Sequence, residues 1–241
     1  MFNLRYSRET ALKEISIEGY ERIRKSKICV VGLGATGSPV ADLFVRAGVG
    51  KITLIDGDTV DISNLHRQVL YSEEDIGEKK VKAAGRRLKS INSKCDIGTI
   101  DTFLDAGNAD ALLGGADIVI DGTDNMETRK VINRYCVRAR KPWIFISSIG
   151  TVAQVKAVIP GVTSCLECFL DPQSSYSMSC EETGVLASAP VIASSLAWTR
   201  AVRIILGLTD EGNLEHIDPW NSIDEQIHIN RNPQCSVCSS I

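Results

Sequence analysis

The sequence GLGATG, residues 32–37, constrains the fold more than any other stretch of the chain. It fits the pattern G-x-G-x-x-G and lies between an apolar run, KICVV, and a segment with apolar residues at helical spacing. Glycines here permit a tight turn and close approach of a ligand, and the following helix offers unpaired N–H groups to phosphate. This context predicts a nucleotide site at Gly32, Gly34 and Gly37, without separating NAD from ATP.

Strand and helix patterns alternate through the first 150 residues. Apolar runs such as KITLID and ADIVID are followed by helical patterns such as METRKVINRYCVRARK. This alternation predicts an α/β fold, a Rossmann-like and mostly parallel sheet flanked by helices with right-handed crossovers. Ligands of such sheets bind outside the carboxyl ends of the strands.

The pattern changes after Gly150. TVAQVKAVIP alternates and predicts an antiparallel strand, whereas LDPQSSYSMSCEETGVLASAP is polar and predicts a mobile loop. VIASSLAWTRAVRIILGL predicts a largely apolar helix that packs against the sheet or a second subunit, and EQIHINRNP predicts a late strand. We therefore expect a C-terminal antiparallel extension. At the other end, Leu12, Ile15 and Ile17 favour an amphipathic helix over the first two dozen residues.

Composition argues against several classes of partner and compartment. The formal net charge of −3 over 241 residues gives no reason to expect nucleic acid or an anionic membrane as a partner. No run approaches the roughly 20 apolar residues of a membrane helix, and the N-terminus lacks the apolar centre of a signal peptide. We expect a cytoplasmic protein, whose eight cysteines serve as metal ligands, reactive thiols or packing residues rather than disulfides.

Polar and cationic residues cluster after the second predicted strand. Asp56 follows the glycine turn by about twenty residues, the position of a ribose-binding acid. Asn64, Arg67 and Lys80 then lie in one connection. Cations beside a nucleotide neutralise phosphate charge and a departing pyrophosphate, which a hydride-transfer enzyme does not require. The alternatives are a turn residue for Asn64 and solvated charges for Arg67 and Lys80.

Asp124 follows the strand ADIVID in the segment DGTDN. A carboxylate at a strand end can hold Mg²⁺ that bridges phosphate oxygens. The alternative is an N-cap for the helix that follows. Asp121, within the strand, is expected to support the site from behind.

The cysteines form two C-x-x-C pairs and four single residues. Cys165 with Cys168, and Cys235 with Cys238, can complete a closed tetrahedral zinc site that fastens the C-terminal tail to the domain. Redox disulfides are the alternative. Cys180 lies alone in the polar loop, either as an accessible nucleophile or without a role. The remaining three, Cys29, Cys95 and Cys136, are interpreted as packing residues.

Together these motifs resemble the ThiF/MoeB/HesA adenylyltransferases, relatives of the ubiquitin-activating enzymes. The resemblance covers nearly the whole chain and rests on RYSRE, GLGATGSPVA, LIDGDTVDISNLHRQVLY, GEKKVKAA, DGTDN, CEETGVL and the two cysteine pairs. It implies one domain over residues 1–241. Within it, residues 1–25 form a helical arm, 26–150 a nucleotide-binding core, and 151–241 a carrier-binding and zinc-binding part with a crossover loop.

The resemblance also implies a reaction. The C-terminal glycine carboxylate of a ubiquitin-like sulfur carrier ending in Gly-Gly attacks the α-phosphate of ATP, and pyrophosphate leaves. The implied roles are ribose binding by Asp56, phosphate contacts by Asn64, Arg67 and Lys80, Mg²⁺ binding by Asp124, and Zn²⁺ binding by the four paired cysteines. Arg8 is implied to reach the phosphates from the other subunit of a homodimer, and Cys180 to join the carrier through sulfur. Sulfur is then expected from a separate sulfurtransferase or cysteine desulfurase.

Two other functions fit parts of the sequence. An NAD-dependent oxidoreductase would share the glycine turn and Asp56, but it leaves Arg67 and Lys80 unexplained. A scaffold that binds a ubiquitin-like protein without activating it would not need the phosphate-site residues.

Overall fold

The computed structural model describes residues 4–169 and 184–241, and its central element is an eight-stranded sheet with the order β3-β2-β1-β4-β5-β6-β7-β8. The strands are β1 (Lys27–Val31), β2 (Lys51–Ile55), β3 (Asp96–Ile100), β4 (Ile118–Asp121), β5 (Trp143–Ile149), β6 (Val152–Val158), β7 (Leu214–Asp218) and β8 (Ile223–Ile227). The helices are α1 (Ser7–Thr10), α2 (Ser16–Lys25), α3 (Gly37–Ala47), α4 (Lys80–Ile91), α5 (Ala109–Leu113), α6 (Met126–Arg138), α7 (Leu166–Phe169) and α8 (Ser188–Ile205).

The strands β1 to β5 form the parallel part of the sheet. Their central members are buried on both faces, which explains the nearly continuous apolar runs in the sequence. In the register of the sheet, Val31 at the end of β1 pairs with Ile55 of β2 and with Asp121 of β4. The carboxyl ends of these three strands therefore align, and the loops that follow them emerge side by side.

The strands β6 to β8 add an antiparallel part beside β5. The fold class predicted from the sequence is confirmed, with differences in detail. The predicted late strand EQIHINRNP overlaps β8 only at residues 225–227, since β8 begins at Ile223 and the chain leaves the sheet after Ile227. Neither β7 nor the short, half-buried β3 was predicted.

The N-terminal arm is not one helix. It contains α1 and α2, and Ser16, the first residue of α2, has a φ of 59°, which interrupts a right-handed helix. Because the helical phase is broken there, the predicted apolar face is wrong in part. Ile15 is buried, but Leu12 and Ile17 are exposed.

The helix α8 confirms the predicted apolar helix and packs against the sheet. It lies against β5, β6 and α3. Its fully buried face is a row of alanines at a spacing of four residues, which brings one face of the helix close to the sheet: Ala189, Ala193, Ala197 and Ala201. Within the described part of the chain, no helix is both long and apolar enough to cross a bilayer.

Candidate nucleotide-binding site

A cleft opens at the aligned carboxyl ends of the parallel strands and is here called the strand-end cleft. Its lining includes six residues predicted from the sequence as site residues: Gly32, Gly34, Asp56, Arg67, Lys80 and Asp124. They come from the three connections that follow β1, β2 and β4, and the register of these strands brings the connections together. A polar cleft at this edge is the expected ligand site of a parallel sheet.

The three motif glycines are required for different reasons. Gly32 has a φ of +82°, and a Cβ there would lie 2.7 Å from Gly122 O. A Cβ on Gly37 would overlap Gly32 O. Around Gly34 the nearest atom to such a Cβ is Gln68 Nε2, at 3.8 Å. Gly32 and Gly37 therefore close the turn, whereas Gly34 keeps its backbone accessible from the cleft.

Asp56 is 7% exposed, and both of its carboxylate oxygens accept backbone hydrogen bonds. Oδ2 accepts from the N–H of Leu33 at 2.7 Å, and Oδ1 accepts from the N–H of Asp58 at 2.8 Å. Burial raises the pKa of this carboxyl, while the Lys80 ammonium and the two N–H donors oppose the rise. Each oxygen retains a lone pair that a ligand hydroxyl can use.

Lys80 begins α4 and is 7% exposed. Its Nζ lies 3.1 Å from Asp58 Oδ2, and its backbone N–H donates to Asp58 O at 3.0 Å. The neighbouring Lys79 is occupied elsewhere, because its Nζ donates to Gly57 O at 2.7 Å and forms an ion pair with Asp101 at 3.1 Å. Lys80 is therefore the lysine of this segment that faces the cleft.

Arg67 follows the 3₁₀ turn Ile62–Asn64 and is half-buried. Its Nη1 donates to Ser63 O at 2.8 Å, which fixes the guanidinium at the edge of the cleft. Asn64 instead completes a capping box, in which its Oδ1 accepts from the Asp61 N–H at 3.4 Å. Asn64 lies outside the cleft lining formed by the described residues. Its phosphate contact stays a prediction.

Asp124 is exposed to the cleft, and within residues 4–169 and 184–241 its carboxylate makes no hydrogen bond or ion pair. The N-cap of α6 is Asn125, whose side chain accepts from the Thr128 N–H at 2.8 Å. The alternative role for Asp124 as the helix cap is therefore wrong, and its carboxylate is available to a cation.

Asp121 supports this loop from behind. It is fully buried, and Oδ1 accepts from the backbone N–H of Thr123 at 3.0 Å and from its hydroxyl at 2.6 Å. Arg129 Nε lies 3.3 Å from Asp121 Oδ2, and Arg129 Nη2 donates to Thr123 O at 2.8 Å and to Ile146 O at 3.0 Å. Burial raises the pKa of Asp121, opposed first by the charge of Arg129.

The cleft residues that were not predicted from the sequence include Gln68, Arg129 and Phe103. Gln68 is 4% exposed, and its Oε1 has no hydrogen-bond partner among the described residues. A buried amide oxygen without a partner indicates a missing polar ligand. Its position beside Arg67 was the available signal. Arg129 lies within α6 and Phe103 lies in a loop, and neither gives a local signal.

The four paired cysteines meet in a second site, here called the cysteine cluster. The Sγ atoms of Cys165, Cys168, Cys235 and Cys238 all lie within 4.8 Å of one another. The Sγ–Sγ distances are 3.9 Å for 165–168, 3.6 Å for 165–235 and 3.3 Å for 168–238. These separations are too long for disulfides of about 2.05 Å and are close to the ~3.8 Å edge of a tetrahedron with metal–sulfur bonds of about 2.3 Å.

The surroundings of the cysteine cluster also fit a metal site. The backbone N–H of Asn232 donates to Cys168 Sγ at 3.4 Å, as outer partners of metal thiolates do. Lys156 lies near the cluster, 1% exposed, and its Nζ donates to Gly212 O. Burial lowers the pKa of Lys156 to about 8, opposed by the negative charges of Asp210 and of the thiolates of Cys168 and Cys165.

The remaining predicted residues lie away from the strand-end cleft or outside the described residues. Arg8 is exposed on α1, and it does not line the cleft of its own chain as described. Cys180 falls in residues 170–183, outside the described residues. Cys29, Cys95 and Cys136 are buried in the hydrophobic core, as predicted.

Comparison with known proteins identifies the family. The model of the ThiF family matches residues 6–237. A sulfur carrier protein adenylyltransferase of Thermus thermophilus is 34% identical over 97% of this chain and 90% of its own length. The ThiS adenylyltransferase of Bacillus subtilis is 34% identical over 90% of this chain. The adenylyltransferase and sulfurtransferase MOCS3 of Drosophila ananassae is 33% identical over 98% of this chain.

The chain spans 66% of the Bacillus protein and 53% of the fly protein. Among solved structures, Escherichia coli MccB with ATP superposes with a TM-score of 0.86 at 26% identity, over 98% of this chain and 74% of that one. The same protein with AMPCPP and MccA gives a TM-score of 0.87 at 25% identity, over 99% of this chain and 74% of that one. The family match, the relatives and the fold agree, and the chain belongs to the ThiF family.

Proposed function

We propose that this chain adenylates the C-terminal glycine carboxylate of a ubiquitin-like sulfur carrier protein, consuming ATP and releasing pyrophosphate. The product would serve sulfur transfer in cofactor synthesis or tRNA thiolation. The observation that carries the proposal is the convergence of Gly34, Asp56, Arg67, Lys80 and Asp124 in one cleft of a ThiF-family chain. Similar proteins named sulfur carrier adenylyltransferases support the choice of substrate.

The sites of ribose and phosphates follow from the glycine turn. The exposed backbone at Gly34 and the N-terminus of α3 suit phosphate oxygens, and the free lone pairs of Asp56 suit the ribose hydroxyls. Arg67 and Lys80 supply positive charge beside that turn. Two such cations favour a triphosphate over NAD as the ligand, because hydride transfer does not require cations at this position.

The reaction needs position and charge rather than proton transfer. An oxygen of the carrier carboxylate attacks the α-phosphorus, the bond from the α-phosphorus to the bridging oxygen breaks, and pyrophosphate leaves with that oxygen. Arg67 and Lys80 stabilise the negative charge that accumulates on the phosphoryl oxygens. The buried amide of Gln68 has an acceptor without a partner among the described residues and lines the same cleft, which suits a water or a hydroxyl donor on the ligand.

Asp124 fits a magnesium site. Its carboxylate has no partner among the described residues, and hard oxygen ligands are those that Mg²⁺ prefers. A Mg²⁺ ion held by Asp124 would supply positive charge that favours a departing pyrophosphate. Hydrogen bonds from Thr123 to Asp121, and from Arg129 to Thr123 O, fix the loop that carries Asp124.

The cysteine cluster fits Zn²⁺, with all four positions filled by sulfur and none left for a substrate. Such a site is structural. It joins α7, which carries Cys168, to the tail that carries Cys235 and Cys238. We assign it no step in the reaction.

A homodimer belongs to the proposal. Arg8 is exposed and does not line the cleft of its own chain as described, and in a dimer it would be available to the partner's phosphates. The sulfur source is proposed to be a separate sulfurtransferase or cysteine desulfurase. A covalent role for Cys180 stays a prediction.

The proposal is tested by ATP–pyrophosphate exchange with a purified ThiS-type carrier that ends in Gly-Gly. Exchange is expected with this carrier and is expected to disappear with the same carrier lacking its last glycine, because the attacking carboxylate is then displaced. Exchange that is absent with the intact carrier, or equal with both, contradicts the proposal.

A further inference from the structure

A buried tyrosine that does not line the strand-end cleft holds the glycine turn from behind. Tyr71 is 8% exposed and packs in the same hydrophobic core as Leu33. Its Oη donates to Leu33 O at 2.9 Å, and no other group in the described part of the chain donates to that carbonyl. Burial raises the pKa of Tyr71, so the hydroxyl keeps its proton at neutral pH and remains a donor.

This hydrogen bond sets the direction of the next backbone N–H. In a trans peptide, the C=O of one residue and the N–H of the following residue point to opposite sides. Because Leu33 O points toward Tyr71 and away from the cleft, the N–H of Gly34 points toward the cleft that Gly34 lines. That N–H has no acceptor within residues 4–169 and 184–241. It is therefore an oriented donor without a partner.

Tyr71 also fixes the loop that carries Arg67 against the glycine turn. Its backbone N–H donates to Gln68 O at 3.3 Å, so it closes the same segment after β2 in which Arg67 lies. The bond from Tyr71 to Leu33 O therefore joins the connection after β2 to the connection after β1. A ligand that accepts from both Gly34 N–H and the Arg67 guanidinium needs several oxygens that carry negative charge. A chain of phosphates has that chemistry.

We propose that Tyr71 is a positioning residue for phosphate binding, which aims the N–H of Gly34 at a phosphate oxygen by holding Leu33 O. The proposal rests on the proposed function, which places nucleotide phosphates at this turn. Tyr71 touches no ligand itself. Without its hydroxyl the peptide between Leu33 and Gly34 is free to rotate, whereas the N–H of Leu33 still donates to Asp56 at 2.7 Å. Loss of the hydroxyl should therefore weaken phosphate binding and spare ribose binding.

The test compares a ligand that is all phosphate with one that has none. Dissociation constants for tripolyphosphate with Mg²⁺ and for adenosine are measured by NMR titration of the full chain without any carrier. Tyr71→Phe removes the hydroxyl and keeps the packed ring. It is expected to weaken tripolyphosphate binding about 2- to 10-fold, the range for one hydrogen bond, and to leave adenosine binding unchanged. Tyr135→Phe, at a buried tyrosine of α6 outside the cleft lining, is the matched control and should change neither.

The same titrations report on the Gly34 amide directly. Its resonance is identified in protein labelled with ¹⁵N-glycine as the one that Gly34→Ala removes. In wild type, tripolyphosphate should shift this amide proton downfield, because the N–H gains an anionic acceptor. The shift at saturation should be smaller in Tyr71→Phe, a change that a purely structural role for the hydroxyl would not produce.

The role of Tyr71 is overturned if tripolyphosphate binds Tyr71→Phe as tightly as wild type, or if the wild-type Gly34 resonance does not move. Equal weakening of tripolyphosphate and adenosine also overturns it, since that pattern indicates general damage to the domain. Wild-type protein that binds tripolyphosphate and adenosine but catalyses no exchange refutes the proposed function and leaves the role of Tyr71 standing. Wild-type protein that binds neither ligand refutes both.

Discussion

The strand-end cleft and the cysteine cluster are built in opposite ways. Except for Val185 and the end of β5, the cleft is lined by residues within 31–129, and its functional side chains are held by hydrogen bonds such as Leu33 N–H to Asp56 and Arg67 to Ser63 O. The cluster joins Cys165 to Cys235 across 70 residues and is mostly buried.

We therefore expect substitutions in the cleft to affect the reaction and substitutions in the cysteine cluster to affect the stability of the fold. A cleft side chain such as Arg67 is partly exposed and contributes little to packing, so its removal should affect the reaction and leave the fold intact. A cluster cysteine holds two distant segments together, so its removal should affect the fold. The predictions below run from the largest expected effect to the smallest.

Arg67→Ala should lower ATP–pyrophosphate exchange at least about 100-fold, because one donor to the developing charge is lost. The melting temperature should stay within about 2 °C of wild type, since surface substitutions rarely exceed about 0.5 kcal/mol. Arg87→Ala, an exposed arginine on the outer side of α4, is the matched control and should retain full exchange. If both variants keep wild-type exchange, Arg67 has no part in the mechanism.

Cys235→Ser should show the reverse pattern. We expect loss of the bound metal and a melting temperature lower by about 10 °C, because a structural metal site contributes directly to folding free energy. The metal is measured by elemental analysis of purified protein. Cys136→Ala, a buried cysteine outside the cluster, is the control and should keep its metal. Equal metal content in Cys235→Ser and wild type would remove Cys235 from the site.

Two glycines sharpen the comparison within the cleft itself. Gly37→Ala places a methyl group onto Gly32 O and should cost about 2–3 kcal/mol of unfolding free energy. Gly34→Ala has open space around it, so unfolding free energy should change by less than about 1 kcal/mol while ATP binding weakens. Urea unfolding and calorimetry check the two quantities. A Gly37→Ala protein as stable as wild type would show that the turn is not closely packed.

The smallest expected effect is that of Lys156 on the pH dependence of the free energy of unfolding. Its pKa is lowered by burial to about 8, so its contribution to stability is present above the ordinary lysine pKa of about 10.4 and is lost as pH falls through 8. Relative to Lys156→Met, wild type should therefore gain about 2 kcal/mol of unfolding free energy between pH 7 and pH 10. Lys94→Met, at an exposed lysine, should show no such change. A flat difference for Lys156 would mean that Asp210 and the nearby cysteines keep the buried ammonium charged across this pH range.

The sequence predicted the features that depend on local pattern. The glycine turn, Asp56 and the paired cysteines follow from spacing alone, and the structure brings each set together. Short elements with weak patterns were missed, as with β3, whose sequence DIGTI is partly exposed and contains a glycine. The continuous N-terminal helix was wrong because a single positive φ at Ser16 resets the helical phase.

The sequence did not predict Phe103 and Arg129 as cleft residues for one shared physical reason. Phe103 is an apolar residue in a loop, and its place beside Asp56 becomes evident only from the pairing of β2 with β3. Arg129 matters through two carbonyl groups on other elements, Thr123 O and Ile146 O. Such roles depend on which strands are neighbours, and that information is not local in sequence.

The central claim is that the strand-end cleft transfers AMP to a peptide carboxylate. The most direct measurement incubates the protein with a Gly-Gly carrier and ATP labelled in its α-phosphate, then traps the activated carrier with hydroxylamine. The proposed mechanism predicts label on the carrier before trapping, release of labelled AMP on trapping, and pyrophosphate as the other product. Label that stays in ATP, or appears in ADP with release of inorganic phosphate, would contradict it.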